Sequence, residues 1–144
     1  MKTDTAIENP EKQRADGPDP DGERHRVLII DDDDSFRAVM EEVLSMEEYE
    51  VVTASHAREG LALIKTTDFD VILTDIIMPD IEGIELIMKV GENHPRVYLI
   101  AMSGGGMVNA EDYLECARDL GADTVLKKPF SFDQLHEVLE AARN

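Results

Sequence analysis

Asp31, Asp32, Asp33 and Asp34 follow one apolar run of the chain, Asp75 closes a second, Ser103 a third and Lys128 a fourth. Carboxylates gathered within a few ångströms raise one another's pKa unless a cation neutralises them. A hard divalent ion such as Mg2+ suits the task, because it takes carboxylates, backbone carbonyls and retained waters. A phosphate would fill its remaining coordination and meet Lys128 as a point charge. Ser103 could donate its hydroxyl to a phosphate oxygen. The residue types therefore point to phosphoryl chemistry, which asks mainly for positioning and charge neutralisation, with a carboxylate as nucleophile.

That chemistry requires the four runs to end at one place. Apolar runs occur at Val27–Ile30, Val51–Val52, Val71–Leu73, Val97–Met102 and Thr124–Leu126. Continuous β-branched runs of this kind suit parallel strands covered on both faces. Helical periodicity separates them. Phe36, Val39, Met40, Val43 and Leu44 form one stripe; Leu61 with Ile64, and Ile84 with Ile87 and Met88, form two more. Tyr113, Leu114, Ala117 and Leu120 form a fourth, and Leu135, Val138 and Leu139 a fifth. Strict alternation with short connections predicts an α/β, doubly wound parallel sheet; of its two common strand orders, the flavodoxin-like (βα)5 order 2-1-3-4-5 suits a chain this short. Ligands of such sheets bind beyond the carboxyl ends of the strands, where the strand order reverses.

Charge narrows the partners. The 144 residues carry 32 acidic and 14 basic side chains, a formal net charge of −18. This disfavours direct nucleic-acid binding and anionic membrane surfaces, both of which select cationic proteins. A single cysteine makes no internal disulfide, and residues 1–24 lack the apolar core of a signal peptide. The expectation is a cytoplasmic protein. Residues 1–25, with three prolines and two glycines, read as a flexible charged tail, and 26–144 as one folded domain. The last helix runs nearly to Asn144, so the reading is a stand-alone domain without an output domain, with a fragment of a larger protein as the alternative.

The segments VLIIDD at 27–32, VILTDIIMPDIEG at 71–83, Ser103 with its small neighbour, and LKKPF at 126–130 resemble the receiver domain of bacterial two-component response regulators. The resemblance spans about 26–143. It implies that Asp75 is the phosphoacceptor, that Asp32 and Asp75 ligate Mg2+ through their side chains with the backbone carbonyl of Ile77, and that Asp31 acts through water. Ser103 would follow the phosphoryl group and Lys128 would pair with it. The Lys128–Pro129 bond is expected to be cis, and Pro79 and Gly83 to shape the turn after the acceptor. Implied partners are a sensor histidine kinase or a histidine phosphotransfer protein, then a downstream protein bound through the fourth and fifth helices and the strand between them. A phosphate sink is the alternative within the family, and a docking-only receiver is disfavoured because every reactive position is filled.

Three positions depart from the family's pattern. Val125 occupies the aromatic switch position, so the signal is expected to pass through the loop and helix at about 103–120. Ile77 has no polar side chain to orient an attacking water, and slow self-dephosphorylation is expected. Gly104, Gly105 and Gly106 enlarge the loop's range, but they lack the lysine-serine ending of a nucleotide-binding loop.

Other readings compete. Asp31, Asp33 and Ser35 spell the D-x-D-x-S string of haloacid-dehalogenase-like phosphatases, with Asp31 as nucleophile, yet only Asp133 stands where a paired acidic motif is needed. A calcium loop starting at Asp31 fails at Phe36, where glycine is required. Asp34 is expected to cap the first helix, Cys116 to be packing, and the methionines mostly core filler. The four histidines show no metal-ligand spacing.

Overall fold

Five parallel strands form a single sheet in the order β2-β1-β3-β4-β5, as the alternation predicts. The computed structural model describes residues 25–76, 82–104 and 110–143. In chain order the elements are β1 (Arg26–Ile30), α1 (Asp34–Met46), β2 (Glu50–Ala54), α2 (Ala57–Thr66), β3 (Val71–Asp75), α3 (Glu82–Asn93), β4 (Tyr98–Ser103), α4 (Ala110–Leu120), β5 (Thr124–Lys127) and α5 (Phe132–Arg143). The tail at 1–24 lies outside the described residues, as do Ile77, Met78, Pro79, Gly105, Gly106 and Met107.

β1 and β3 occupy the middle of the sheet, and their side chains alternate between two cores. Leu28, Ile30 and Ile72 pack with Ile64, Leu86, Ile87 and Ala117 on one face. Val27, Ile29, Val71 and Leu73 pack with Met40, Leu44, Leu135 and Leu139 on the other. A period of two on a strand covered by helices on both sides leaves no polar position, which is why these runs read as unbroken Val, Ile and Leu.

Helix starts are set by side-chain caps. Asp33, not Asp34, caps α1: its backbone is extended and its carboxylate accepts the Phe36 N–H at 3.1 Å. His56 caps α2 by accepting the Glu59 N–H on Nδ1 at 3.2 Å. Glu59 reaches back to the Ser55 N–H at 2.9 Å, and that bond holds its carboxyl below its ordinary pKa. α5 opens on a reciprocal pair in which Ser131 and Gln134 each bond the other's backbone N–H. The stripes are narrower than their periodicity suggested. Val39 is half exposed, and Met46 and Met88 face solvent, as does Cys116. Met40 and Met102 do fill the core. Gly83 falls in the first turn of α3 rather than in the turn before it.

One glycine sets how closely a helix approaches the sheet. A Cβ on Gly60 would stand 2.4 Å from Ile30 Cδ1 and 3.1 Å from its Cγ1. Ile30 is fully buried at the end of β1, so it has no open space into which to turn. Gly60→Ala gains about 1 kcal/mol of helix propensity, while overpacking costs about 1–3 kcal/mol. The expected result is a net loss of about 1 kcal/mol by urea unfolding, at an unchanged m-value.

Candidate functional site

Sheet register brings the candidate residues to one edge. Ile30 pairs with Thr74 across β1 and β3, so the next residues, Asp31 and Asp75, lie side by side. Asp75 pairs with Met102, and Ser103 with Lys127, which places Ser103 and Lys128 on the following rungs. Backbone bonds extend the ladder past the strand ends: Asp31 N–H to Ala54, Ile76 N–H to Met102, and Lys128 N–H to Ser103 at 2.8 Å. The Lys128–Pro129 peptide is cis.

Asp31, Asp32 and Asp75 each offer a carboxylate oxygen, and these oxygens lie within 4.8 Å of one another. Their surroundings differ. Asp31 is fully buried and Asp75 nearly so, whereas Asp32 is exposed. Both oxygens of Asp31 are engaged, one by the Asp33 N–H at 2.9 Å and the other by Lys128 Nζ at 2.6 Å. Lys128 Nζ also stands 3.6 Å from Asp75 Oδ2. Lys127, its neighbour in sequence, is exposed. Within the cluster three carboxylates lie together, and one ammonium meets two of them. This donor set of hard oxygens fits a divalent cation such as Mg2+.

Ser103 is buried at the end of β4, one rung beyond Asp75. Ile77 and Pro79 lie outside the described residues, so the third ligand expected from a backbone carbonyl does too. Periodicity missed three neighbours of the site. Arg37 donates Nη1–H to the Asp31 backbone carbonyl at 2.7 Å and pairs with Asp34. The Phe36 ring lies under Lys128, with Nζ 4.1 Å from its centroid. Phe130 meets Phe36 edge-on, centroids 6.1 Å apart and planes at 90°. An arginine one turn into a helix after an acidic run is a usable signal. The aromatic pair had none, since its cation comes from a distant strand.

The histidines are dispersed over the fold. His136 lies 3.3 Å from Glu47 and 3.9 Å from Glu140, and His25 lies 3.9 Å from Asp70. Among the described residues, Asp31, Asp32 and Asp75 form the one group of His, Cys, Asp or Glu side chains close enough to share a metal. No described helix is long and apolar enough to cross a membrane.

Comparison with known proteins agrees with this geometry. Residues 27–140 match the family profile described as "Response regulator receiver domain". The cell cycle response regulator CtrA of Brucella ovis is 34% identical over 110 residues, which cover 76% of this chain and 46% of that protein. The chain thus spans about half the length of the curated relatives it matches. A CheY-like response regulator receiver domain protein from Methanospirillum hungatei superposes with a TM-score of 0.74 at 34% identity, covering 83% of this chain and 94% of that one. Chemotaxis protein CheY4 of Vibrio cholerae superposes at 0.72 with 28% identity, covering 83% and 98%.

Proposed function

Because this chain belongs to the response regulator receiver domain family, we propose that Asp75 accepts a phosphoryl group from a phosphohistidine donor and that the phosphorylated chain signals by protein–protein contact. The observation that carries this reading is the placement of Lys128 between Asp31 and Asp75 at the rim where three carboxylates converge. Asp32 and Asp75 would hold Mg2+ through their side chains, Ile77 through its backbone carbonyl and Asp31 through water. When bound, Mg2+ supplies positive charge against the phosphoryl oxygens.

The chain's own residues do the rest. An Asp75 carboxylate oxygen attacks phosphorus, a P–O bond forms, and the P–N bond breaks with its electron pair going to the leaving imidazole nitrogen. Lys128 leaves Asp75 for a phosphoryl oxygen, and Asp31, pinned by the Asp33 N–H, stays in place as its counter-ion. Ser103 donates its hydroxyl to a second phosphoryl oxygen, and its inward shift carries the signal into the following loop and α4, a bistable element of the kind phosphorylation switches use. Val125, partly buried against the core, replaces an aromatic switch. Ile77 leaves the attacking water unoriented, so the phosphoryl group is long-lived. The chain catalyses its own phosphorylation and slow dephosphorylation only. The donor is a sensor histidine kinase or a histidine phosphotransfer protein, and the recipient is a downstream protein; a relay that returns the phosphoryl group as a sink uses the same site.

Treatment with acetyl phosphate and Mg2+, followed by borohydride trapping and peptide mapping, tests the assignment. The label is expected on Asp75 alone and does not form when EDTA is present during the acetyl phosphate treatment. A label on Asp31 would sink this reading in favour of a haloacid-dehalogenase-like phosphatase, although an Asp31 with both oxygens engaged is a poor nucleophile.

A further inference from the structure

From the stacking of Phe36 beneath Lys128, we infer that Phe36 is a positioning residue for phosphoryl transfer, its ring face holding the lysine ammonium over the acidic cluster as the lysine changes partners. The inference rests on Asp75 being the acceptor. Among the described residues, Lys128 Nζ meets Asp31 at 2.6 Å, Asp75 at 3.6 Å and the Phe36 centroid at 4.1 Å. They differ in what happens to them during transfer. The carboxylate of Asp75 becomes an acyl phosphate and stops being a simple counter-ion, and Asp31 competes with the phosphoryl group for the same ammonium. The ring face does neither. It attracts the cation through its quadrupole, offers no hydrogen-bond acceptor, and keeps its charge distribution throughout the reaction.

Two further features favour this role over plain packing. The Lys128 side chain is only 18% exposed, and a desolvated cation gains more from an aromatic face than an exposed one. Phe130 braces Phe36 edge-on at 90°, which fixes the plane of the ring presented to the lysine. A lysine stem has several rotatable bonds and loses much of its rotamer freedom when ordered. A surface that holds its head near the cluster leaves less of that loss to be met during transfer. Phe36 itself sits in the first turn of α1, three residues after the capping Asp33, so the turn that caps on Asp33 also aims the ring.

The test compares Phe36→Leu, Phe36→Tyr and Phe36→Trp in the full chain, using acetyl phosphate with Mg2+ and the site label on Asp75 as readout. Leucine keeps an apolar side chain and removes the π face, and is expected to slow uptake about fivefold, whereas tyrosine and tryptophan stay within about twofold of the parent. In a chain already carrying Lys128→Ala, Phe36→Leu is expected to change nothing further, which a general packing role would not give. NMR supplies a readout independent of turnover and of the variants' folding: the Lys128 ε-methylene protons should resonate upfield of those of Lys127 through the ring current. Equal uptake by the parent and Phe36→Leu, an additive loss in the Lys128→Ala background, or no upfield shift in the parent would each overturn the inference while leaving the Asp75 assignment intact. Failure of the parent to label at Asp75 would bring down the acceptor assignment and this inference with it.

Discussion

Replacing Asp75 by asparagine abolishes phosphoryl uptake and, in the absence of divalent cations, raises the melting temperature. The two effects share one cause. The carboxylate oxygens of Asp31, Asp32 and Asp75 lie within 4.8 Å of one another, and Asp31 and Asp75 share Lys128 as a counter-ion. At the effective dielectric constant typical of such sites, two unit charges at that spacing repel by a few kcal/mol, part of which the lysine offsets. Asparagine removes one negative charge from three carboxylates that lie together, and with it the attraction to Lys128 at 3.6 Å. The expected gain is about 1–2 kcal/mol, or roughly 4 °C per kcal/mol for a domain of this size. Millimolar Mg2+ should reverse the ranking, because a ligand at 100 times its dissociation constant stabilises the parent by about 2.7 kcal/mol and the variant has lost a ligand. Thermal melts with EDTA and with Mg2+ measure both halves. A variant less stable than its parent in EDTA would contradict the account of a crowded, charge-rich site.

Lys128→Ala is expected to act in the opposite direction on stability. Asp31 is fully buried, and without Lys128 it keeps the Asp33 N–H but loses its counter-ion at 2.6 Å. Removing one partner of a buried pair costs about 3–5 kcal/mol, here increased by the neighbouring carboxylates and relieved in part by Mg2+. Uptake from acetyl phosphate should fall by about 10²–10³, the range for losing a placed electrostatic donor. Lys128→Arg restores the charge, so urea unfolding should recover most of the stability. Its planar fork does not reproduce the point charge or the geometry, and uptake should remain at least about tenfold below the parent. Recovery of both by arginine would mean that charge alone, rather than the shape of the ammonium, is required.

The strands were legible because Val27–Ile30 of β1 and Val71–Leu73 of β3 are buried on both faces and read as unbroken apolar runs. Their order, 2-1-3-4-5, is the one of two common doubly wound arrangements that suits a chain this short. Asp31, Asp75 and Lys128 were legible for a related reason, since each directly follows or ends an apolar run and the ends of parallel strands coincide. Finer assignments failed where neighbouring residues are chemically equivalent. Four consecutive aspartates offer four candidate caps, and only the extended backbone at Asp33 distinguishes it. Helical periodicity puts Val39 in one stripe and Cys116 beside another without stating how wide an arc the sheet covers, and Val39 is half exposed while Cys116 faces solvent. Phe36 was read as core, correctly in part, because apolar character does not reveal that one face of a ring will meet a cation from the other end of the chain.

The backbone bond from Lys128 to the carbonyl of Ser103 gives the two residues proposed to meet the phosphoryl group a common mounting. In engineering terms they are one component. A designer who moved the serine to another scaffold without the neighbouring strand end would leave the lysine's anchor behind. A mutation that tilts β4 tilts both residues together, so the spacing between them is far harder to retune than the chemistry of either side chain.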